Sequence, residues 1–308
     1  MDYKAIIKSR ETRDKILKML SWIPDKVMLQ IQYRIKFNRK LNLKEPRRFT
    51  EKIQWYKLYY KNPELIRCVD KAEVRNYLKE RGFEKYLLTC YGVYSSVDSI
   101  DFEKLPNSFV MKDTLGGGGN SVLIVKDKKS ANIDELKIEA QKWCNKRVRR
   151  GGGREWPYYC GKNHRIIIEE YLQSESPHGL IDYKFYCFNG CCEYLKVILE
   201  HNIGEPIKRF YLTRDYIDTG AHNPDEIKVS ADELPSKPQN FDELLSVAEQ
   251  LSQGFPCVRV DLYSCKIGVR FGELTFYDAS GYFAFEPDSF DYELGSEFIL
   301  PEKLGGLL

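Results

Sequence analysis

Apolar residues in the first third of the chain recur at helical spacing. Val27, Ile31 and Ile35 lie four residues apart, Met28 is beside them, and Pro24 stands where a helix can begin. This pattern predicts an amphipathic helix, followed by further helices that pack as a cap over the rest of the chain. The aromatic side chains of this region are expected in a core rather than at a ligand: Trp22, Tyr33, Phe37, Phe49, Trp55 and Tyr56.

From about Leu87 the pattern changes to short β-rich runs. The segments SFVMKD (108–113) and SVLIVKD (121–127) predict two strands joined by a run of four glycines. The dipeptide Asn189-Gly190 lies between two further strand-like runs and is typical of a tight hairpin turn. Each of these strands therefore pairs with a neighbour in the sequence.

Helical spacing returns twice within this β-rich part. The spacing of Ile133, Leu136, Ala140 and Trp143 predicts one amphipathic helix, and residues 241–251 predict another. Hairpins combined with segregated helices favour an α+β fold over a strict βαβ alternation. The chain is thus expected to have three parts: a helical, basic N-terminal region (1–85) and two α+β parts (86–172 and 173–308).

Composition indicates an ordinary globular protein. Of its 308 residues 43% are hydrophobic and 30% charged, and no apolar run approaches the roughly 20 residues that span a bilayer. The N-terminal sequence lacks the apolar core of a signal peptide, and the nine cysteines are scattered, so we expect a reduced, cytoplasmic location. The clustered Cys187, Cys191 and Cys192 are expected to be buried strand residues rather than zinc ligands.

Positive charge is concentrated at the N-terminal end. Residues 1–60 carry 16 Lys or Arg and 6 Asp or Glu, a net charge of +10, although the whole chain has only +3. Such an end suggests an anionic partner: a membrane surface, an acidic glycan or nucleic acid. A solvated helical face would produce the same pattern.

A lysine followed by glycines is the first candidate for chemistry. Lys112 precedes Gly116–Gly119, where the backbone can approach a ligand and aim several N–H groups at it. The glycines join two strands and no GKS or GKT follows, so this is not a P-loop. A phosphate cradle and a flexible hairpin tip both fit this segment in isolation.

Two other segments place acidic and basic groups on strands. The run IIIEEYL (166–172) is either a surface strand end or the extended edge and apolar wall of an adenine pocket. Asp261 and Glu273 lie on adjacent β-like segments, and a hairpin would bring both carboxylates to one Mg²⁺. Arg259 shares the face of Asp261, where it either supports phosphoryl transfer or forms an ion pair. Asp182 and Lys184 form an ion pair or a second phosphate contact.

The order of these segments resembles the ATP-grasp superfamily, in which two α+β subdomains clamp ATP. Several stretches look like the TupA-like ATP-grasp family, named for teichuronopeptide biosynthesis and associated with capsule, cell-wall and lipopolysaccharide gene sets. The resemblance extends from about residue 30 to the C-terminus. Its main segments are KFNRKLNLKEPRRFTEKIQWYKLYY, DKAEVRNYL, LPNSFVMK, REWPYY, RIIIEEYL, DYKFYCFNG and RVDLY with FGELTF.

The resemblance implies a site in each of the two α+β parts, which become the subdomains 86–172 and 173–308. Lys71 and Lys112 would contact the ATP phosphates, and Gly116, Gly117, Gly118 and Gly119 would close over them. The adenine would lie against a hinge formed by Glu169, Glu170, Tyr171 and Leu172.

The second subdomain would carry the metal and the catalytic groups. Asp261 and Glu273 would hold Mg²⁺, Arg259 would stabilise the transferring phosphoryl group, and Lys184 would face phosphate or substrate. The superfamily usually has Glu-x-Asn at the metal, but this chain has Thr275 at the Asn position. A hydroxyl is a weaker metal ligand than a carboxamide oxygen, so the number of metals is left open.

The activity implied by the resemblance is ATP- and Mg²⁺-dependent ligation of a carboxylate to an amine through an acyl phosphate. The expected substrates are an acidic glycan or its precursor, with a uronic-acid carboxyl, and an amino acid or other amine. The basic end is expected to hold the glycan or to contact the inner membrane face peripherally, and no nucleic acid is expected. The alternatives are a glycosyltransferase, although no DxD pair is present, and a kinase or an ATP-binding scaffold with the same fold.

Overall fold

The computed structural model describes residues 12, 16–17, 19–117, 121–174, 179–199 and 207–304. Among these residues, four of seven α-helices come before the first β-strand, and the other three follow groups of two to four strands. The helices are α1 Asp25–Phe37, α2 Phe49–Tyr59, α3 Glu64–Val69, α4 Glu73–Glu80, α5 Ile133–Cys144, α6 Phe241–Ser252 and α7 Ser289–Glu297. The strands are β1 Cys90–Tyr94, β2 Phe109–Asp113, β3 Val122–Val125, β4 Ile166–Glu170, β5 Asp182–Phe188, β6 Cys191–Ile198, β7 Arg209–Thr213, β8 Cys257–Cys265 and β9 Gly268–Thr275.

The strands form two separate antiparallel sheets. The first has the order β1-β4-β2-β3 and the second the order β7-β6-β5-β8-β9. All strand pairings in both sheets are antiparallel, and no helix connects two parallel strands of these sheets. This arrangement confirms the predicted α+β class. The polypeptide passes from the first sheet to the second after the end of β4, so the two sheets define two lobes.

The predicted hairpins are present. Strands β2 and β3 pair with Lys112 opposite Val122 on either side of the glycine run, of which Gly118 and Gly119 lie outside the described residues. Between β5 and β6, Asn189 (φ 50°) and Gly190 (φ 88°) both adopt the left-handed conformation that a tight type I′ turn requires.

The cysteines of this hairpin do not all lie in the core. Cys187 and Cys192 are fully buried, but Cys191 is exposed, so its expected burial was wrong. Neighbouring residues on a strand face opposite sides of the sheet, and Cys191 therefore points away from the face that Cys192 buries.

The core is divided between the lobes. In the first lobe, α5 covers the four-stranded sheet and packs Ala140 and Trp143 with Met111 and Ile168. In the second lobe, one large cluster joins the five-stranded sheet to the N-terminal helices α2, α3 and α4 and to α6 and α7. The N-terminal helices are thus part of the wall of the second lobe.

The first helix has the predicted period but not the expected orientation. Met28, Leu29 and Tyr33 face inward, and the Tyr33 hydroxyl lies 2.9 Å from Thr50 Oγ1 in α2. Before this helix, Trp22 is 77% exposed, so the expectation that it lies in a core was wrong. The described residues contain no helix that is both long and apolar enough to cross a bilayer.

Candidate active site

Lys112 lies near the end of β2, a central strand of the four-stranded sheet. Its ammonium donates to Glu169 Oε2 at 2.9 Å from the neighbouring strand β4, and the other oxygen of Glu169 accepts from Arg75 at 2.9 Å. Two cations thus flank one buried carboxylate. Charge-assisted hydrogen bonds are strong when partly shielded from water, so Glu169 holds Lys112 in a fixed position.

Lys71 is brought against the glycine loop by the start of helix α4. Asp70 accepts hydrogen bonds from the backbone of Ala72 (2.8 Å) and Glu73 (3.2 Å), which satisfies two N–H groups at the start of the helix. The backbone N–H of Lys71 donates to Thr114 O at 2.9 Å, at the end of β2, and its ammonium donates to the carbonyl of Gly116. The structure therefore brings Lys71 to the loop that follows Lys112.

A buried, ion-paired carboxylate lies where the glycine loop, residues 114–121, leaves β2 and returns to β3. Asp113, fully buried, accepts from His164 Nδ1 at 2.7 Å and from Lys146 Nζ at 3.0 Å. Its backbone N–H donates to Ser121 O at 3.0 Å, across the loop. A Cβ on Gly116 would lie 2.6 Å from the Cβ of Ser121, so the two ends approach this closely only with glycine here.

The predicted hinge is the point where β4 leaves the first lobe. The backbone N–H of Glu170 donates to Thr89 O at 3.0 Å, and its carboxylate accepts from the N–H and hydroxyl of Thr89 at 3.0 and 3.1 Å. Tyr171 is half-buried and Leu172 is buried. Glu170 thus fixes the end of β4 on the chain that enters β1, and Leu172 supplies an apolar surface beyond it.

In the second lobe the predicted carboxylates face each other. Asp261 on β8 is paired with Glu273 on β9, and Arg259 is paired with Thr275, so the hairpin brings all four residues together. Arg259 donates to both oxygens of Asp261 at 2.7 Å, to Glu273 at 3.2 Å and to the Thr275 hydroxyl at 3.1 Å. The Thr275 hydroxyl in turn donates to Glu273 at 3.0 Å.

Lys184 completes this cluster from strand β5. It is paired with Asp261 in the sheet, and its ammonium contacts the carboxylates of Asp261 and Asp182 at 2.5 Å. Burial lowers the pKa of Lys184, but Asp261 and Asp182 outweigh it and raise the pKa to about 12. Lys184 therefore stays protonated and acts as a fixed positive charge rather than as a proton acceptor.

The Glu273 carboxylate is flanked by cations from two parts of the molecule. Burial raises its pKa, but Lys71, Arg259 and Lys184 outweigh burial and lower the pKa to about 2. Lys71 belongs to the group beside the glycine loop, whereas Arg259 and Lys184 belong to the five-stranded sheet. Charged groups beside the glycine loop and on the five-stranded sheet thus act on the same carboxylate, and we call the region around these residues the cleft.

The residues of this cleft fit a magnesium ion that also binds phosphates. The described residues contain no group of three or more His, Cys, Asp or Glu arranged to hold a metal. Mg²⁺ commonly uses one or two protein carboxylates and takes substrate phosphates and water as its other ligands. The Glu273 side chain is 38% exposed and can serve in this way. Asp261 would have to share an oxygen with Arg259 or Lys184.

Three residues of the cluster were missed in the sequence. Asp278 accepts from Arg259, from Tyr186 and from Lys196 (3.0 Å). The carboxylates of Asp182, Asp261, Glu273 and Glu169, together with burial, raise the pKa of the Tyr263 hydroxyl. Tyr263 follows Asp261 by two residues and shares its face of the strand, so the alternation of side chains along β8 could have indicated it. Lys196 and Asp278 carried no such signal.

One family model matches the chain. It is described as "TupA-like ATPgrasp" and covers residues 51–299. None of the functionally curated proteins matches the chain at a significant level.

Solved structures with a similar arrangement include two D-alanine–D-alanine ligases. The enzyme from Bacillus anthracis, complexed with ATP, is 15% identical over 68% of this chain and 55% of its own, with a TM-score of 0.42. The enzyme from Helicobacter pylori is 16% identical over 75% and 61%, with a TM-score of 0.44. N5-carboxyaminoimidazole synthetase from Staphylococcus aureus, complexed with ADP, is 14% identical over 77% and 53%, with a TM-score of 0.42. The chain thus spans between half and two thirds of these three proteins.

Proposed function

Because the chain belongs to the TupA-like ATP-grasp family, we propose that it is an ATP- and Mg²⁺-dependent ligase that joins a carboxylate to an amine. The observation that carries this proposal is the meeting of two charge sets across one cleft. Lys71 and Lys112 lie beside the glycine loop, and Arg259, Lys184 and Glu273 lie on the facing sheet. A triphosphate between them would meet cations on both sides.

In the first step, a carboxylate oxygen of the acid substrate attacks the γ-phosphorus of ATP. The bond from that phosphorus to the β,γ-bridging oxygen breaks and ADP leaves, so the acid becomes an acyl phosphate. Lys71 and Lys112 neutralise the phosphates, and Arg259 stabilises charge on the transferring group. Magnesium held by Glu273 and Asp261 would supply further neutralisation of the β- and γ-phosphate oxygens.

In the second step, the amine nitrogen attacks the carbonyl carbon of the acyl phosphate. The carbon–oxygen bond to the phosphate breaks, inorganic phosphate leaves, and the nitrogen loses its proton to water. Lys184 stays protonated and so holds the departing phosphate rather than accepting a proton. The cleft needs no histidine for this chemistry, and the described contacts of Arg259 and Asp261 include none.

We further propose that the acid is a uronic-acid unit of a cell-surface polysaccharide or its precursor and that the amine is an amino acid. The support for this assignment is the association of the family with capsule and cell-wall biosynthesis. It implies work in the cytoplasm, where ATP and glycan precursors are available together.

The proposal is tested by ADP release from the full chain with ATP and Mg²⁺, using glucuronic and galacturonic acids with each amino acid. ADP release should require both substrates, and Lys112→Ala and Asp261→Ala should each lower it about a hundredfold or more, since each removes an electrostatic contact to the phosphates or metal. Lys126→Ala and Asp242→Ala change exposed residues elsewhere and should keep full turnover.

Hydroxylamine and oxygen labelling separate ligation from simple phosphorylation. Hydroxylamine should trap the acyl phosphate as a hydroxamate, and ¹⁸O in the acid should appear in inorganic phosphate. A stable phosphorylated product with no amine-dependent phosphate release would instead identify a kinase. Unaltered ADP release in both active-site variants would overturn the assignment of the cleft.

A further inference from the structure

The first described helix, α1, has two apolar faces. Its inner face buries Leu29 and Tyr33 against Leu41 and against side chains that include Leu58, and Met28 is also buried. Polar contacts fix the same side: Gln32 donates to Gly152 O at 2.8 Å, and Lys36 pairs with Asp225 at 2.9 Å. The orientation of α1 on the molecule is therefore set by its inner face.

The opposite face carries a second row of apolar side chains. Val27, Ile31 and Ile35 recur every four residues and are 44%, 44% and 42% exposed. In the segment before the helix, two more large apolar side chains are exposed, Met19 at 76% and Trp22 at 77%. We call these five residues the apolar strip. Single exposed apolar residues are ordinary, but a row of three on one helix, preceded in the chain by an exposed methionine and tryptophan, indicates an interaction surface.

The apolar strip lies in a strongly basic part of the chain. Residues 19–48 contain eight Lys or Arg and two Asp or Glu. Lys26 and Arg34 lie on the exposed side of α1, next to the strip, and Lys40 is exposed just after the helix. The surface thus combines an apolar row with positive charge along its border.

We propose that the apolar strip binds peripherally to an anionic lipid membrane. A helix with apolar and aromatic side chains on one face and lysine or arginine beside them lies in the interface plane of a bilayer, with its apolar residues among the acyl chains. Basic residues next to the membrane add attraction to anionic lipid headgroups. Membrane attachment would hold the cleft near a lipid-linked glycan, but the surface itself does not depend on the proposed ligase activity.

Charge and shape disfavour two other partners for the apolar strip, a second copy of this chain and an acidic glycan. A symmetric dimer through the strip would bring Lys26 and Arg34 of both copies close to one another, and like charges repel. An acidic glycan would use the basic residues but has no need for Trp22 and Ile31. A bilayer accounts for both halves of the surface.

The test is flotation of the full chain with vesicles of phosphatidylcholine alone and of equal parts phosphatidylcholine and phosphatidylglycerol. The chain should float with the anionic vesicles, and its partitioning should fall at least about tenfold on pure phosphatidylcholine. Ile31→Glu and Trp22→Ala should each weaken partitioning about tenfold, and the pair Lys26→Gln with Arg34→Gln should weaken it similarly. Ile124→Glu, an exposed isoleucine in the other lobe (53% exposed), is the matched control and should bind normally.

Unchanged thermal unfolding would establish that each variant is folded. Failure of the wild-type chain to float, or equal flotation of Ile31→Glu, would overturn the proposal. Light scattering that shows a dimer only when Ile31 is present would assign the strip to a second copy. Binding to soluble polyglucuronate that is lost in Lys26→Gln with Arg34→Gln but kept in Ile31→Glu, without flotation, would assign the basic residues to glycan.

Discussion

A single buried carboxylate, Asp113, organises the base of the glycine loop. It is reached by a histidine from the segment before β4 and by a lysine from the end of α5, and its own N–H spans the loop to Ser121. Burial works to raise the pKa of Asp113, but the contacts with His164 and Lys146 outweigh it, and the pKa lies below its ordinary value. Asp113 is therefore ionised in the folded chain at neutral pH.

Asp113→Asn should cost about 2 kcal/mol of unfolding free energy at pH 7, because the His164 and Lys146 donors lose a charged acceptor. A carboxyl whose folded pKa is depressed contributes stability above its unfolded pKa of about 3.9 and loses it as the pH falls through the folded value. The difference between wild type and variant should therefore narrow below about pH 4. Urea unfolding between pH 3 and 7 measures it.

The matched control is Asp215→Asn, since Asp215 is exposed. Its cost should stay within about 0.5 kcal/mol at every pH. A cost for Asp113→Asn that did not change with pH would mean that shape rather than charge holds the loop base.

At the residue scale, the sequence predicts which residues of a hairpin lie opposite each other better than it predicts side-chain contacts between distant segments. Alternation along two strands was enough to predict that Asp261 would face Glu273, and their pairing is confirmed. The partner of Lys112 was not predictable, because Glu169 is 57 residues away and reaches it only through sheet order. Asp278 was missed for the same reason.

Helix orientation is the corresponding difficulty at the scale of elements. The period of Val27, Ile31 and Ile35 correctly predicts helix α1, but the same helix contains a second apolar row. Which row is buried depends on the surfaces that other elements present, here α2 and the tyrosine–threonine contact between Tyr33 and Thr50. The spacing of apolar residues in the sequence therefore does not tell which of the two rows of α1 is buried.

The contact between α2 and α7 depends on a glycine. A Cβ on Gly295 would lie 2.1 Å from Arg47 O and 2.8 Å from Phe49 N, both backbone atoms at the start of α2. Asp291 of α7 also accepts from the Thr50 N–H at 2.9 Å, and Lys52 donates to Gly295 O at 2.7 Å. The two helices are thus in backbone contact.

Gly295→Ala should destabilise the chain by about 2–3 kcal/mol, because overpacking against backbone cannot be relieved by a side-chain rotation. Gly151→Ala is the control, since a Cβ there meets nothing within 4 Å, and should change stability by less than about 0.5 kcal/mol. Denaturant unfolding of the wild type and the two variants measures these changes in stability. Equal stabilities would show that α7 can shift away from α2 at little cost.

The whole molecule is less divisible than its sequence pattern indicates. Ten buried residues between positions 49 and 78 belong to the same apolar cluster as the five-stranded sheet. Each such side chain contributes about 2 kcal/mol when buried, and the stability of a domain is only roughly 5–15 kcal/mol. The sheet therefore depends on helices that come before both lobes in the chain.

A fragment of residues 86–308 should show no cooperative unfolding, whereas a fragment of residues 40–308 should retain it. Of the helices described above, the longer fragment lacks α1 alone, whose inner face forms a small separate cluster. Calorimetry or circular dichroism during heating distinguishes the two. A sharp transition in the shorter fragment would contradict the shared core.

The segment between α5 and β4 bears on how the cleft can open. It leaves the first lobe and is attached to the N-terminal helices, where Lys57 donates to Gly153 O at 2.7 Å and Arg154 donates to Leu20 O at 2.8 Å. The first lobe is thus joined to the rest of the molecule at this segment as well as before β1 and after β4. Because several separate attachments restrain twisting, we expect the lobes to open by rotation about nearly one axis. One distance across the cleft, measured between two spin labels, would then describe the whole motion.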